Sequence, residues 1–314
     1  RQNTWREWLG AAPDRQLITL GSAAYPRLLA ELPDAPLALW TRGSRTDLLN
    51  SPQLAMVGSR SPTANGRETA ERFARYFSVR GLTITSGLAT GIDDASHRGA
   101  LAGTAGTIAV LDSGPDQLYS RSLEDLATEI IADGLIVSEY PPGTSTHRCH
   151  LPQRNRIIAG MTTGTLVVEA ARRSSSLITA RLAGEYGREI FAIPGSIHNP
   201  MTKGCHRLIR DGAKLVEDAA DVLVELAPLL QIALDTDELC LQSTEENSHA
   251  LTNEPGYEKL LAALRFDPCG INVLAARTEL TAAELSSMLL LLEMEGLVEA
   301  LPGGRYSLAS KRAP

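Results

Sequence analysis

Several things are scarce in this 314-residue chain, beginning with aromatic side chains, which make up only 4% of it. No stretch approaches the roughly 18 uninterrupted apolar residues that a membrane helix needs. The polar opening Arg1-Gln2-Asn3-Thr4 cannot act as a signal peptide, so a cytoplasmic protein is expected. The four cysteines, Cys149, Cys205, Cys240 and Cys269, are far apart with no Cys-x-x-Cys pair. That spacing suggests neither a zinc ribbon nor a disulfide framework and leaves reduced thiols. His147, Cys149 and His150 share one short loop but lack a distant fourth ligand, so no metal is expected. There is no Walker lysine, no Ser-His-Asp order and no framed pair of catalytic carboxylates, which points to binding loops rather than an enzyme and to no cofactor. Net positive charge is missing too. At −7 the chain can meet a polyanion only through a local basic patch. The chain also opens without methionine, at Arg1, so a fragment of a longer product, with room for an upstream domain, is an expectation here.

What remains is ordinary for a globular protein, 43% hydrophobic and 21% charged, with length for one large and one small domain. Short apolar runs at 54–57, 82–85, 107–111, 135–138, 165–168 and 189–193 alternate with amphipathic stretches. Ala70, Phe73, Ala74 and Phe77 recur at helical spacing, and Leu123, Leu126, Ala127, Ile130 and Ile131 repeat the device. This pattern predicts a doubly wound, mostly parallel α/β sheet over 51–226, with 1–50 as a lead-in. Residues 227–254, with Pro228 and the acids Asp235, Asp237 and Glu238, read as a linker. Residues 255–314 predict three helices and a hairpin around Pro302-Gly303-Gly304, a winged helix.

Ligands of such sheets sit at the carboxyl ends of the strands, so the loops there carry the functional argument. Gly58-Ser59-Arg60 follows a strand and precedes a helix beginning near residues 65–67. Small residues, a helix N-terminus and an arginine suit a phosphate. Ser86-Gly87-Leu88-Ala89-Thr90-Gly91-Ile92-Asp93 is a second small-residue loop, in which Asp93 could serve only as a helix cap. Residues 141–168 hold Arg148, Arg154 and Arg156 and no acid, the local basic patch that phosphate binding requires. A solvated basic loop would look the same. Glu169 then ends a strand, and Ser174-Ser175-Ser176 opens another helix, either to hold an anion or simply to cap.

In order and spacing, Val57-Gly58-Ser59-Arg60, the 86–93 loop, Ser138-Glu139-Tyr140-Pro141-Pro142-Gly143, Arg154-Asn155-Arg156-Ile157-Ile158-Ala159-Gly160, Leu177-Ile178-Thr179-Ala180 and Pro194-Gly195 resemble the DprA/Smf family. The resemblance extends over about residues 17–226 and is specific only in combination. It implies an extended Rossmann-like fold that binds and protects incoming single-stranded DNA, forms a homodimer and loads RecA in natural transformation, with a C-terminal winged helix. By resemblance, Gly58, Ser59, Arg60, Ser86, Gly87, Arg148, Leu151, Arg154, Asn155, Arg156, Ser176 and Thr179 form the DNA site, with Arg60, Arg154 and Arg156 as a phosphate clamp. Cys205, His206, Leu208, Ile209 and Leu215 fall in the dimer-forming and RecA-facing segment. Leu151 departs from the family's usual phenylalanine and removes a stacking platform of about 1–3 kcal/mol per base. Asp112 and Ser175 replace usual glycines, and Ser120 stands for a usual proline.

Two rivals come from other classes. Gly164-Thr165 with Glu169 fits the Gly-Thr-x-x-x-Glu segment of lysine-decarboxylase-like nucleotide phosphoribohydrolases, but Met161-Thr162-Thr163 stands where paired glycines belong. A regulator reading duplex DNA with the winged helix would need basic residues in 281–295, which instead hold Glu284, Glu293 and Glu295 and no Arg or Lys.

Overall fold

A computed structural model describes residues 2–117, 123–230, 255–264, 268–278, 280–295, 297–301 and 303–308. Tyr119, Ser120 and the expected linker residues 231–254 lie outside the described residues. The chain forms two compact units, Arg1–Leu234 and Asp235–Pro314.

The first unit is built on a nine-stranded sheet. Its parallel centre consists of β3 (Gln53–Val57), β4 (Thr83–Ser86), β5 (Thr107–Leu111) and β6 (Leu135–Ser138) on one side. On the other side of β3 lie β7 (Gly164–Val167), β8 (Glu189–Ala192) and the short β9 (Lys214–Leu215). Every residue of β3 to β7 is buried, as expected for strands covered on both faces. Side chains alternate across the sheet: Leu54 and Met56 join one hydrophobic cluster, Ala55 and Val57 the other. The covering helices are α3 (Ala64–Val79), α4 (Ile92–Leu101), α5 (Glu124–Asp133), α6 (His150–Met161), α7 (Ser176–Glu185) and α8 (Lys203–Arg210). The expected buried stripe Ala70, Phe73, Ala74 and Phe77 lies on α3.

The lead-in expected at 1–50 is part of this domain. Two strands, β1 (Arg15–Thr19) and β2 (Ala38–Arg42), add antiparallel to β6, with Trp40 opposite Ser138. The first helix, α1 (Gln2–Gly10), brings the Trp5 and Trp8 rings edge-on to Trp40 at 5.7 and 6.0 Å. A short helix, α2 (Arg27–Ala30), buries Leu29 in the cluster that also holds Ala55 and Val57. At the other end, α9 (Ala219–Leu230) packs Val222, Leu223 and Leu226 onto the sheet and contains Pro228. The helix therefore extends the domain past residue 226 into the expected linker.

The second unit has α10 (Pro255–Leu264), α11 (Ile271–Thr278) and α12 (Ala282–Met294). A three-stranded sheet combines β10 (Cys269–Gly270) with the hairpin β11 (Val298–Leu301) and β12 (Arg305–Leu308). Leu260, Leu274, Leu285, Leu289 and Leu292 form its own core. Thr281 and Glu284 close a capping box at the start of α12.

Candidate nucleic-acid interface

The winding direction reverses at β3, which has β4 on one side and β7 on the other. In an open parallel sheet, that reversal opens a crevice beyond the strand ends. The cleft found there gathers Gly58 and Arg60 from the loop after β3, Leu151, Arg154 and Asn155 from α6, and Ser176 and Thr179 from α7. These residues are separated by as much as the span from 58 to 179 and were grouped at the sequence level by resemblance. The cleft has room for about 20 Å³, little more than one water or one phosphate oxygen needs. It suits contact with a backbone phosphate rather than enclosure of a base.

Arg154 is the buried cation of the cleft, 7% exposed. Its Nη2 donates to the Gly87 carbonyl at 2.8 Å and its Nη1 to Asn155 Oδ1 at 3.1 Å. A Cβ at 87 would lie 1.9 Å from Arg154 Nη1, so a larger residue there would push the guanidinium out of its place. Beneath them the buried Asp93 carboxyl is pushed up by loss of water, opposed by Arg154 and by the Ala89 and Gly87 amides. Arg60 is exposed at the lip. Asn155 Nδ2 reaches the Ser175 carbonyl at 3.5 Å, tying α6 to the turn that opens α7.

Asp93, read from sequence only as a helix cap, and His97, not singled out there, organise this floor. Asp93 lines the cleft, and one helical turn later His97 supports the 86–93 loop from behind. The Leu88 N–H donates to His97 Nε2 at 3.3 Å, while His97 Nδ1 lies 2.7 Å from Thr107 Oγ1. The Thr107 hydroxyl in turn donates to the Ile84 carbonyl at 2.7 Å. This chain requires the neutral ring with its proton on Nδ1. Burial, with the Arg154 charge adding to it, pushes the imidazole down to about 3. Leu88 has φ of 52°, the left-handed region, and among the described residues no other non-glycine does. The i to i+4 spacing of Asp93 and His97 was the available sequence signal.

The remaining expected residues divide. Ser59 and Ser86 are scaffold: Ser59 N–H donates to the Glu169 carbonyl at 2.7 Å, and the Ser86 hydroxyl donates to the Met56 carbonyl at 2.6 Å. Arg148 is exposed on the loop before α6. At the start of α6 His150 stacks on Tyr140 with ring centroids 4.0 Å apart, and its Nδ1 meets the Asp112 carbonyl at 2.9 Å. Among the described residues no group of three or more His, Cys, Asp or Glu is arranged to hold a metal.

Arg156 is a correction. It does not line the cleft. Its guanidinium donates to Glu139 Oε1 at 2.6 Å and to the Asp34 carbonyl at 2.7 Å, so of the three arginines expected to act together only Arg60 and Arg154 line the cleft. The run 141–168 is free of acids, but the partners come from just before it and from the lead-in. The α3 N-terminus is a second correction. Glu169 accepts from the Thr63 N–H at 2.9 Å and from the Thr63 hydroxyl at 2.7 Å, while Thr63 caps Gly66 N–H at 3.0 Å. The protein's own carboxylate holds the helix start that was expected to receive a phosphate.

In the expected association segment Cys205 is also corrected. It is fully buried, its thiol pushed up to about 12 by burial, with Sγ against the Val167 and Val168 carbonyls. Leu208 and Ile209 are partly buried against the core, and His206 Nε2 lies 2.9 Å from the Gly195 carbonyl. Leu215 is 47% exposed.

The sequence model of the DNA recombination-mediator protein A family matches residues 16–227. This chain belongs to that family. The DprA winged helix domain matches residues 242–304, in keeping with the second unit. The chain is 40% identical over 302 residues to Protein Smf of Escherichia coli K12, covering 96% of this chain and 79% of that one. It is 46% identical over 201 residues to the DNA processing protein DprA of Streptococcus pneumoniae R6, covering 64% and 71%. The X-ray structure of the pneumococcal DprA superposes with a TM-score of 0.64 at 44% identity, covering 68% of this chain and 75% of that one. A structure of Helicobacter pylori DNA processing protein A, described for its single-stranded DNA binding mode, superposes with a TM-score of 0.62 at 27% identity, covering 68% and 96%. As a family member, the chain carries the mostly parallel Rossmann-like sheet and the winged helix expected from its motifs. Among the described residues no helix is long and apolar enough to cross a membrane.

Proposed function

We propose that this chain binds single-stranded DNA by its phosphate backbone in the cleft at the β3/β7 crevice and passes it to RecA, as a recombination mediator acting in the cytoplasm. The observation that carries the reading is the pairing of an exposed Arg60 with a buried, oriented Arg154 beside the first turn of α7. Two guanidinium groups and a helix start make an anion site inside an acidic protein, where only local donors can overcome the global repulsion. The shallowness of the cleft favours contacts that ignore base identity. Relatives named for DNA processing, and a structural neighbour described for its single-stranded DNA binding, support the same reading.

Self-association through the surface around His206, Leu208, Ile209 and Leu215 belongs to this proposal. So does delivery to RecA from the same side. A phosphoribohydrolase reading is less favoured because Glu169, the carboxylate it would use, is engaged by Thr63. The deciding experiment is a gel-shift comparison of single-stranded with duplex DNA at two salt concentrations. Preference for the single strand with strong salt dependence supports the proposal. Preference for duplex, or base release from a nucleoside monophosphate, overturns it.

A further inference from the structure

None of the residues lining the cleft carries a ring, and its room of about 20 Å³ leaves the bases of a bound strand outside it. A base kept out of the cleft still gains by lying on a flat π-face, a contact open to every base. Such a face stands beside the cleft wall. His150 directly precedes Leu151 at the start of α6 and, four positions before Arg154, lies one helical turn from it on the same side of the helix. Tyr140, just past the end of β6, stacks on it with ring centroids 4.0 Å apart and planes inclined by 21°. The His147 ring stands next to His150, at 5.7 Å and 53°.

The rings are held in place. The Tyr140 N–H donates to Ser138 Oγ at 2.9 Å, and the Ser138 hydroxyl donates to the Ser113 carbonyl at 2.5 Å. His150 Nδ1 donates to the Asp112 carbonyl at 2.9 Å, which fixes its proton on that nitrogen. The Cys149 N–H donates to His147 Nδ1 at 3.4 Å. Tyr140 and His150 are half-buried and His147 is exposed, so anchored rings keep area facing solvent. The acids around them are engaged within the protein: Asp112 by the Thr146 hydroxyl at 3.2 Å, Asp116 by the Gly143 N–H at 2.8 Å and Glu139 by Arg156 at 2.6 Å.

The sheet order also connects the rings to the cleft. From β3 it runs through β4 and β5 to β6. Beyond β4, the Gly87 carbonyl receives Arg154; beyond β5, the Asp112 carbonyl receives His150; beyond β6 stands Tyr140. The rings therefore continue the cleft along one row of carboxyl ends. The segment assigned to self-association, with Leu215 on β9, lies at the opposite end of that row.

We infer that Tyr140, His150 and His147 form a stacking platform for a base of the strand whose phosphates Arg60 and Arg154 hold. The inference rests on the proposed function and adds to it a contact with bases that is blind to their identity.

The test uses the full chain and two strands of about 20 nucleotides, an oligothymidylate and an abasic strand that keeps every phosphate but offers no base. His150→Ala should weaken the oligothymidylate about fivefold or more, the low end of what one stacked base contributes. It should leave abasic binding and both salt slopes unchanged. His150→Phe keeps a ring and should restore the oligothymidylate. His147→Ala alters an exposed side chain, which puts the fold at little risk, and should show the same selective loss. Arg60→Ala weakens both strands. Equal affinity of wild type for the two strands overturns the platform while leaving the cleft standing. So do an equal loss on both strands in His150→Ala, failure of His150→Phe to restore binding, and full oligothymidylate affinity in both alanine variants. If wild type binds neither strand, the proposed function fails and the platform with it.

Discussion

Arg156 and Glu139 form an ion pair of 2.6 Å on the side of α6 that the cleft does not use. With the Arg156 side chain 9% exposed, this pair joins the end of β6 and the residue 34 loop to the helix that carries Arg154. Arg156→Ala should cost about 1–3 kcal/mol by leaving polar partners unsatisfied, with a salt slope of DNA binding equal to that of wild type. Arg60→Ala should do the reverse, keeping the melting temperature and flattening the slope by about 0.7. Melting and salt-dependent binding on the same preparations separate the roles, and a reduced slope in a stable Arg156→Ala protein would return that residue to the clamp.

His97 offers a pH test. Its imidazole is held neutral, down to about 3 in the fold, against about 6.5 in an unfolded chain. Below pH 6.5 the unfolded state takes up a proton that the folded state refuses, so the stability contributed by His97 is full above pH 6.5 and declines toward pH 3. Between pH 7 and pH 5 the loss should be about 2 kcal/mol. His97→Gln keeps a donor and an acceptor without titrating, so urea midpoints across this range should fall less steeply in the variant. Parallel curves would show that the ring is not held as the Leu88 and Thr107 contacts indicate.

How much of this was legible in the sequence depends on distance along the chain. The parallel core was, because β3, β5 and β6 carry the apolar runs 54–57, 108–111 and 135–137, which suit strands covered on both faces. β1 and β2 were not: of Arg15–Thr19 only Ile18 is buried, too little to show a period. Arg154 stood out through an acid-free run, yet that run cannot reveal that Arg156 finds Asp34, 122 positions away, while Arg154 faces Gly87. The capture of the α3 start by Glu169 spans 106 positions and leaves no local trace.

The exposed Leu215 on edge strand β9 permits a clean test of association. At 47% exposure, Leu215→Arg should leave the melting temperature within about 0.5 kcal/mol equivalents of wild type. It would place an unpaired charge in an apolar contact and yield monomers. Light scattering at matched concentration measures this, and an unchanged mass would remove the segment from the dimer.

Deletion of residues 255–314 should leave single-strand affinity within about tenfold, roughly 1.4 kcal/mol. The grounds are on α12, whose exposed surface includes Leu290, Leu291 and Met294 and whose sequence contains no Arg or Lys. Such a surface suits protein contact better than phosphate. A larger loss of affinity in the truncated protein would relocate part of the DNA site to the winged helix.

The Glu169–Thr63 contact gives the crevice a direction. Two helices, α3 and α7, begin beside it, and each could in principle welcome a negative charge. One of these starts is already occupied by a carboxylate of the chain itself, so a polyanion bound as proposed would meet the start of α7 alone. A strand bound as proposed at the α7 side would thereby be kept off the start of α3. Freeing that carboxylate would add a negative charge to the doorway and remove the asymmetry together.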